Sequence, residues 1–260
     1  MIDIHSHIIP YMDDGAADMD EALAMARMAV AEGITRIIVT PHHANGQYNN
    51  PAGTVNQAVE ELRLQLAKHH IPLTLYPGQE IRLYSRLIED WEGGLLLPLA
   101  QSPYILIEFP SARVPERTKE YIHELQMLGL IPVLAHPERN KELMNHPGLL
   151  RELVDSGVRG QVTTHSLTGS FGKAIQKAAF GMCREGLIHF VASDAHNIRQ
   201  RPFAMQEAYR RITEELGAEW TSYYQRNAQS LLQGEPIQVQ QQPVPSKRKS
   251  FLANLFKPSI

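Results

Sequence analysis

The feature that most constrains this chain is a repeated pair: a short β-branched run ending in histidine or a carboxylate, then a stretch with apolar residues at helical spacing. Ile34-Thr-Arg-Ile-Ile-Val-Thr40 runs into Pro41-His42, Tyr104-Ile-Leu-Ile107 into Glu108, and Ile131-Pro-Val-Leu-Ala135 into His136. His189-Phe-Val-Ala-Ser193 opens onto Asp194-Ala-His196, and Leu73-Thr-Leu-Tyr76 passes through Pro77-Gly78 to Glu80. The N-terminal run and Gly160-Gln-Val-Thr-Thr164, which precedes His165, complete a set of seven strands. Helical segments fall at 22–31, behind a capping box that starts at Asp18, and at 54–70, 118–128, 147–155, 170–185 and 202–216. Such alternation is the signature of an α/β protein built from parallel βα units, whose right-handed crossovers favour closure into a barrel.

The strand ends then become the functional argument. In a strand, residues i and i+2 point to one side, so His5 and His7 turn both imidazoles toward one point, and Asp13 and Asp14 add oxygen donors on the next loop. In a parallel barrel the C-terminal strand ends converge on one face. That would gather His5, His7, Asp14, His42, Glu80, Glu108, His136, Asp194 and His196. A buried, hydrogen-bonded pair explains one His-x-His, but scattered structural histidines would not choose strand ends so consistently. So many mixed nitrogen and oxygen donors exceed one tetrahedral ion, and bridging carboxylates suit two or three divalent cations. Such cations can lower the pKa of a shared water from about 15.7 to about 7, which suits hydrolysis of a phosphate monoester by direct attack of metal-bound hydroxide.

Arg139 and Arg201 follow His136 and His196, where a planar guanidinium can grip phosphate oxygens; Arg199 is a rival to Arg201, and ordinary surface ion pairs are the bland alternative. His196 or a bound water could supply a proton to the leaving group, and the sequence does not choose. A cysteine phosphatase would need arginine six positions beyond its nucleophile, whereas Cys183 is followed there by His189, so this lone cysteine reads as a small buried residue.

Composition removes other classes. A length of 260 residues with 43% hydrophobic content supports a sizeable core, and one cysteine excludes a disulfide framework. The N-terminal stretch lacks the basic and long apolar regions of a signal peptide, and no run approaches the roughly 18 to 20 apolar residues that span a bilayer. A cytoplasmic location is therefore expected. A net charge of -3 gives no reason to expect nucleic acid.

At these residues a resemblance becomes specific. Asp3-Ile-His5-Ser-His7, Asp13-Asp-Gly15, Thr40-Pro-His42, Gly78-Gln-Glu80-Ile, Ile107-Glu108, Ala135-His136-Pro-Glu-Arg139 and Ser193-Asp194-Ala-His196 together resemble the polymerase and histidinol phosphatase (PHP) superfamily. Within it, the chain is similar to the bacterial manganese-dependent tyrosine-protein phosphatases of capsule and exopolysaccharide loci, in collinear order from residue 1 to about 235. The resemblance implies a distorted seven-stranded (β/α)7 barrel over residues 1–237 and three divalent metal ions, commonly manganese, with iron, zinc or magnesium as alternatives. It implies phosphotyrosine-containing proteins as partners, among them a bacterial tyrosine kinase controlling polysaccharide export, and a homo-oligomer in some members. Carried over position by position, His5, His7, Glu80 and Asp194 would hold the first metal; Glu80, Glu108 and His136 the second; Asp14, His42 and His196 the third. Arg139 and Arg201 match the phosphate-binding arginines. His165 matches no expected ligand and reads as a loop or substrate-channel residue.

From Gln238 the composition changes to a Gln/Pro linker, expected to be mobile, and then Ser246-Lys-Arg-Lys-Ser-Phe-Leu-Ala-Asn-Leu-Phe-Lys257, a basic-amphipathic segment suited to an anionic membrane surface or a partner, or to a solubilising end. Two other functions fit the same residues: a small-molecule phosphomonoesterase acting on histidinol phosphate or a nucleotide, and a non-catalytic, metal-stabilised regulatory module.

Overall fold

The computed structural model describes residues 1–239, so the expected linker and basic segment over 240–260 lie outside the described residues. Strands β1 (Ile2–Ser6), β2 (Arg36–Val39), β3 (His42–His43), β4 (Thr74–Pro77), β5 (Glu80–Arg82), β6 (Tyr104–Glu108), β7 (Ile131–Ala135), β8 (Arg159–Thr163) and β9 (Ile188–Ala192) form two parallel sheets, ordered β1-β2-β4 and β3-β5-β6-β7-β8-β9. The second and third expected strands are each split, at Thr40-Pro41 and at Gly78-Gln79. Proline lacks the ladder N–H, so the β2 run cannot continue in register through Pro41. Glu80 N–H donates to Pro41 O at 3.1 Å, carrying the pairing across the break.

The sheets approach each other at the strand ends. Ser6 makes a parallel bridge with Ala195, Asp194 N–H donates to His5 O at 2.9 Å, and His7 N–H donates to Ala195 O at 2.9 Å. Beneath this junction the buried Asp3 carboxylate accepts Ser193 N–H at 2.9 Å.

Helices α1 (Met19–Ala31), α2 (Ala52–Lys68), α3 (Leu87–Glu92), α4 (Thr118–Met127), α5 (Lys141–Asn145), α6 (Pro147–Asp155), α7 (Thr164–Thr168), α8 (Lys173–Arg184), α9 (Met205–Leu216) and α10 (Ala218–Leu232) lie between or after the strands. The Asp18 signal is an N-cap, its side chain accepting Glu21 N–H at 2.9 Å. Helix α9 starts at Met205, later than expected, and its first N–H groups are satisfied by a distant carboxylate: Glu32 accepts from Ala204 at 2.9 Å and Met205 at 2.6 Å.

Alternating strand residues divide the core. Ile4, Ile38, Leu106, Val133 and Phe190 join one interior cluster, whereas Ile37, Ile105, Leu134 and Val191 pack among the helices. Both faces are thus covered, as parallel sheets require. Helix α10 was not expected from the sequence; its Ala228 and Leu231 belong to the interior cluster, and buried Asn227 donates to His189 O at 3.0 Å.

Candidate metal centre

The strand ends bring the expected donors together. His5 and His7 lie at the end of β1, Asp14 on the next loop, His42 in β3, Glu80 in β5, Glu108 at the end of β6, His136 after β7, and Asp194 and His196 after β9. His136 (φ 34°) and Asp194 (φ 54°) hold left-handed backbone, a conformation that costs about 1–3 kcal/mol and persists only where neighbours impose it.

Four donors enclose one point. His5 Nε2 lies 3.2 Å from His7 Nε2 and 3.4 Å from both Glu80 Oε2 and Asp194 Oδ1. His7 Nε2 lies 3.4 Å from Glu80 Oε2 and 3.3 Å from Asp194 Oδ1. Ligands about 2.1 Å from a shared ion in tetrahedral geometry would sit about 3.4 Å apart. The other ring nitrogens fix the electronic state: His5 Nδ1 donates to Gln161 Oε1 at 2.9 Å, and His7 Nδ1 donates to Asp13 Oδ2 at 2.6 Å. Both Nε2 atoms therefore aim lone pairs inward, and two protons could not fit between nitrogens this close. Burial opposes charge on His7, yet Asp13 raises its pKa well above the ordinary value; burial likewise opposes charge on His5, and Glu80 and Asp194 raise it. The carboxylates draw positive charge toward both rings, one proton between the two nitrogens supplies only part of it, and a divalent cation fits that demand.

Two further groups adjoin it. His42 Nε2 and His196 Nε2 lie 3.4 and 3.5 Å from Asp14 Oδ1, and these three with His7 converge tightly enough to share an ion. His42 also turns Nδ1 to Glu80 Oε2 at 2.9 Å and to Glu108 Oε2 at 3.9 Å, forming a third group. The expected second group named His136 in place of His42. In this structure His136 Nε2 instead lies on Glu80 Oε1 at 2.8 Å, one contact removed from Glu108. Burial and then Arg139 lower the His136 pKa to about 4, keeping it neutral. Burial, followed by the Glu80 charge, pushes the Glu108 carboxyl up to about 7 even though Arg82 Nη2 sits 2.8 Å from Glu108 Oε2. The Arg82 charge favours the ionised form, and an added cation would favour it further.

Two arginines close the outer side. Arg139 Nη1 and Arg201 Nη2 both contact Asp194 Oδ2 at 2.5 Å, with side chains 27% and 23% exposed. Arg199 is exposed, its backbone N–H on Asn197 Oδ1. His165 is buried in α7, near enough to both arginines that burial and their charges lower its pKa. Cys183 is buried in α8, its thiol pushed up to about 12 by burial, which fits the inert role expected of it.

Sequence reasoning missed three supporting contacts. It offered Asp13 only as a loop oxygen donor beside Asp14, outside the gathered set, whereas Asp13 holds His7 Nδ1 and the N–H groups of Gly15 and His42. It did not name Gln161 or Arg82. The Arg82–Glu108 contact is a direct cross-strand pair, legible only once the β5–β6 register is known.

Known proteins resemble this chain over nearly its whole described length. A family model described as capsular polysaccharide synthesis, CpsB/CapC, matches residues 1–233. The tyrosine-protein phosphatase YwqE of Bacillus subtilis (strain 168) is 46% identical over 251 residues, covering 96% of this chain and 98% of that relative. The tyrosine-protein phosphatase CpsB of Streptococcus agalactiae serotype III (strain NEM316) is 30% identical over 243 residues, covering 91% and 100%. A crystal structure described among those of YwqE from Bacillus subtilis and CpsB from Streptococcus pneumoniae, unique metal-dependent tyrosine phosphatases, aligns with a TM-score of 0.91 at 46% identity, over 95% of this chain and 100% of that one. A mutant organophosphorus hydrolase aligns at 0.54 with 13% identity over 88% and 92%, a likeness of fold alone. The match to the family model over nearly all the described residues, joined to relatives of this identity and coverage, means that the chain belongs to the CpsB/CapC family of capsular polysaccharide synthesis.

Proposed function

We propose that this chain is a metal-dependent protein-tyrosine phosphatase that hydrolyses phosphotyrosine on a bacterial tyrosine kinase and its substrates, and so regulates capsule or exopolysaccharide synthesis in the cytoplasm. The carrying observation is two arginines on one oxygen of Asp194, whose other oxygen faces the His5–His7 donor pair. No described helix is long and apolar enough to cross a membrane. Residues 1–237 would form one unit in which the two sheets make a distorted seven-stranded barrel; the Ser6–Ala195 bridge supports that closure.

His5, His7, Glu80 and Asp194 would hold one divalent ion; Asp14, His42 and His196 a second; Glu80 and Glu108 with His136 or His42 a third. Manganese is the expected ion. When bound, such ions acidify coordinated water and offset phosphoryl charge. Asp194 orients both guanidinia through Oδ2 and leaves N–H groups for the phosphoryl oxygens; the buried Arg201 Nε has no partner among the described residues. His196 Nδ1 donates to Asp194 O at 2.9 Å, so its Nε2, which has no hydrogen-bond partner among the described residues, offers a lone pair and suits a ligand better than a proton donor. A phenolate leaving group, with a solution pKa of about 10, needs less protonation than an alkoxide, so no dedicated acid is required.

The test is turnover of a phosphotyrosyl peptide against a panel of small phosphomonoesters, before and after exhaustive chelation and again after adding manganese. The expected result is peptide turnover that chelation abolishes and manganese restores. Full activity without metal, or a strong preference for a small phosphomonoester, overturns the reading.

A further inference from the structure

The donor groups and both arginines leave one feature at the site unused. Between α7 and α8, Gly172 N–H donates to Gly169 O at 2.9 Å, closing a tight turn whose central residues are Ser170 and Phe171. Both glycines have positive φ, 86° and 96°, which favours glycine at each end. The turn is braced from several directions. Ser170 N–H donates to His165 O at 3.0 Å, Gln176 N–H donates to Gly172 O at 3.1 Å, and the Gln176 side chain donates to Leu167 O at 2.8 Å. Phe171 is therefore presented on a fixed support, and its side chain stays partly exposed.

It is presented to the arginine grip. The Arg139 guanidinium carbon lies 5.2 Å from the Phe171 ring centroid, and the buried His165 ring lies 5.5 Å from it, tilted by 33°. The same guanidinium contacts Asp194. A phosphoryl group held by Arg139 and Arg201 must direct its ester substituent away from the buried donors. The partly exposed Phe171 ring adjoins Arg139 there.

We propose that Phe171 is a specificity-determining residue: it forms one wall of a slot that packs against the phenyl ring of the substrate and selects aryl over alkyl phosphomonoesters. The inference rests on the phosphatase reading and adds the source of its aryl preference. Aromatic pairs contribute about 0.5–1.5 kcal/mol beyond area burial, so the preference should be about fivefold.

Binding of phenylphosphonate and methylphosphonate to the manganese-loaded full-length protein, measured by calorimetry, tests it without turnover. We expect wild type to favour phenylphosphonate, Phe171→Ala to lower the phenyl-to-methyl affinity ratio about fivefold, and Phe171→Tyr to restore it. Phe171→Tyr also serves as the folded control should the alanine variant lose its thermal transition. An unchanged ratio, or equal weakening of both ligands, overturns the proposal and leaves the phosphatase reading standing. Failure of wild type to bind either phosphonate overturns both.

Discussion

Asp13 Oδ2 lies 2.6 Å from His7 Nδ1, and the same oxygen accepts His42 N–H at 2.9 Å. One carboxylate therefore sets the tautomer of one donor imidazole and anchors the backbone of another. Supporting contacts of this kind are commonly worth about 10–100-fold in metal affinity. Asp13→Ala should weaken metal binding by about that factor with the fold retained. Asp13→Asn, which still accepts from Nδ1, should do so less. Metal content after dialysis, compared by calorimetric titration, checks the order; equal affinity in wild type and Asp13→Ala would show that His7 needs no such partner.

Gly15 sits where no side chain fits. A Cβ there would lie 2.0 Å from His7 O and 2.6 Å from His7 Cβ. Backbone cannot yield as a flexible side chain can, so Gly15→Ala should cost about 1–3 kcal/mol or more and displace His7. Denaturant unfolding gives the first effect and manganese titration the second. Wild-type values in both would mean that the loop relocates freely.

Arg201 and Arg199 compete for one role in the sequence, and geometry separates them. Arg201 reaches Asp194 and Arg199 is exposed. Arg139→Ala and Arg201→Ala should each lower kcat/KM about a hundredfold to a thousandfold with metal content preserved. Arg199→Ala should stay within about twofold. A large loss for Arg199→Ala beside a mild one for Arg201→Ala would reverse the assignment.

How much of this was legible follows from the range of each interaction. Strand-end donors such as His136 and Asp194 announce themselves because a β-branched run and its terminal residue are adjacent in sequence. The splits at Pro41 and Gly78 were visible as residues but not as a change of sheet, because sheet membership depends on which strand lies alongside. Helix α10 escaped notice because Trp220, Tyr223, Tyr224 and Asn227 mix aromatic and polar groups, and their burial is recognised only once α9 and His189 lie alongside. Arg139 and Arg201 were expected near phosphate; that they share one Asp194 oxygen depends on two loops 55 residues apart meeting.

A histidine outside the donor set gives the fold a pH signature. His189 is fully buried in β9; its Nδ1 accepts Gly160 N–H at 3.1 Å, and its Nε2 has no hydrogen-bond partner among the described residues. Burial first, then the Arg159 charge, lowers its pKa to about 3. The unfolded chain binds a proton here near pH 6.5, whereas the folded chain refuses it until about pH 3. Stability is therefore lost as pH falls through that window, by about 1.4 kcal/mol per pH unit for one proton. At neutral pH, His189→Leu should be less stable than wild type by about 1–3 kcal/mol, because Gly160 N–H loses its acceptor. The variant lacks the proton-linked loss, so its deficit should shrink by about 2 kcal/mol between pH 7 and pH 5. Denaturant unfolding of both proteins at the two pH values measures this directly. A deficit that stays constant would mean that the folded protein accommodates a charged His189.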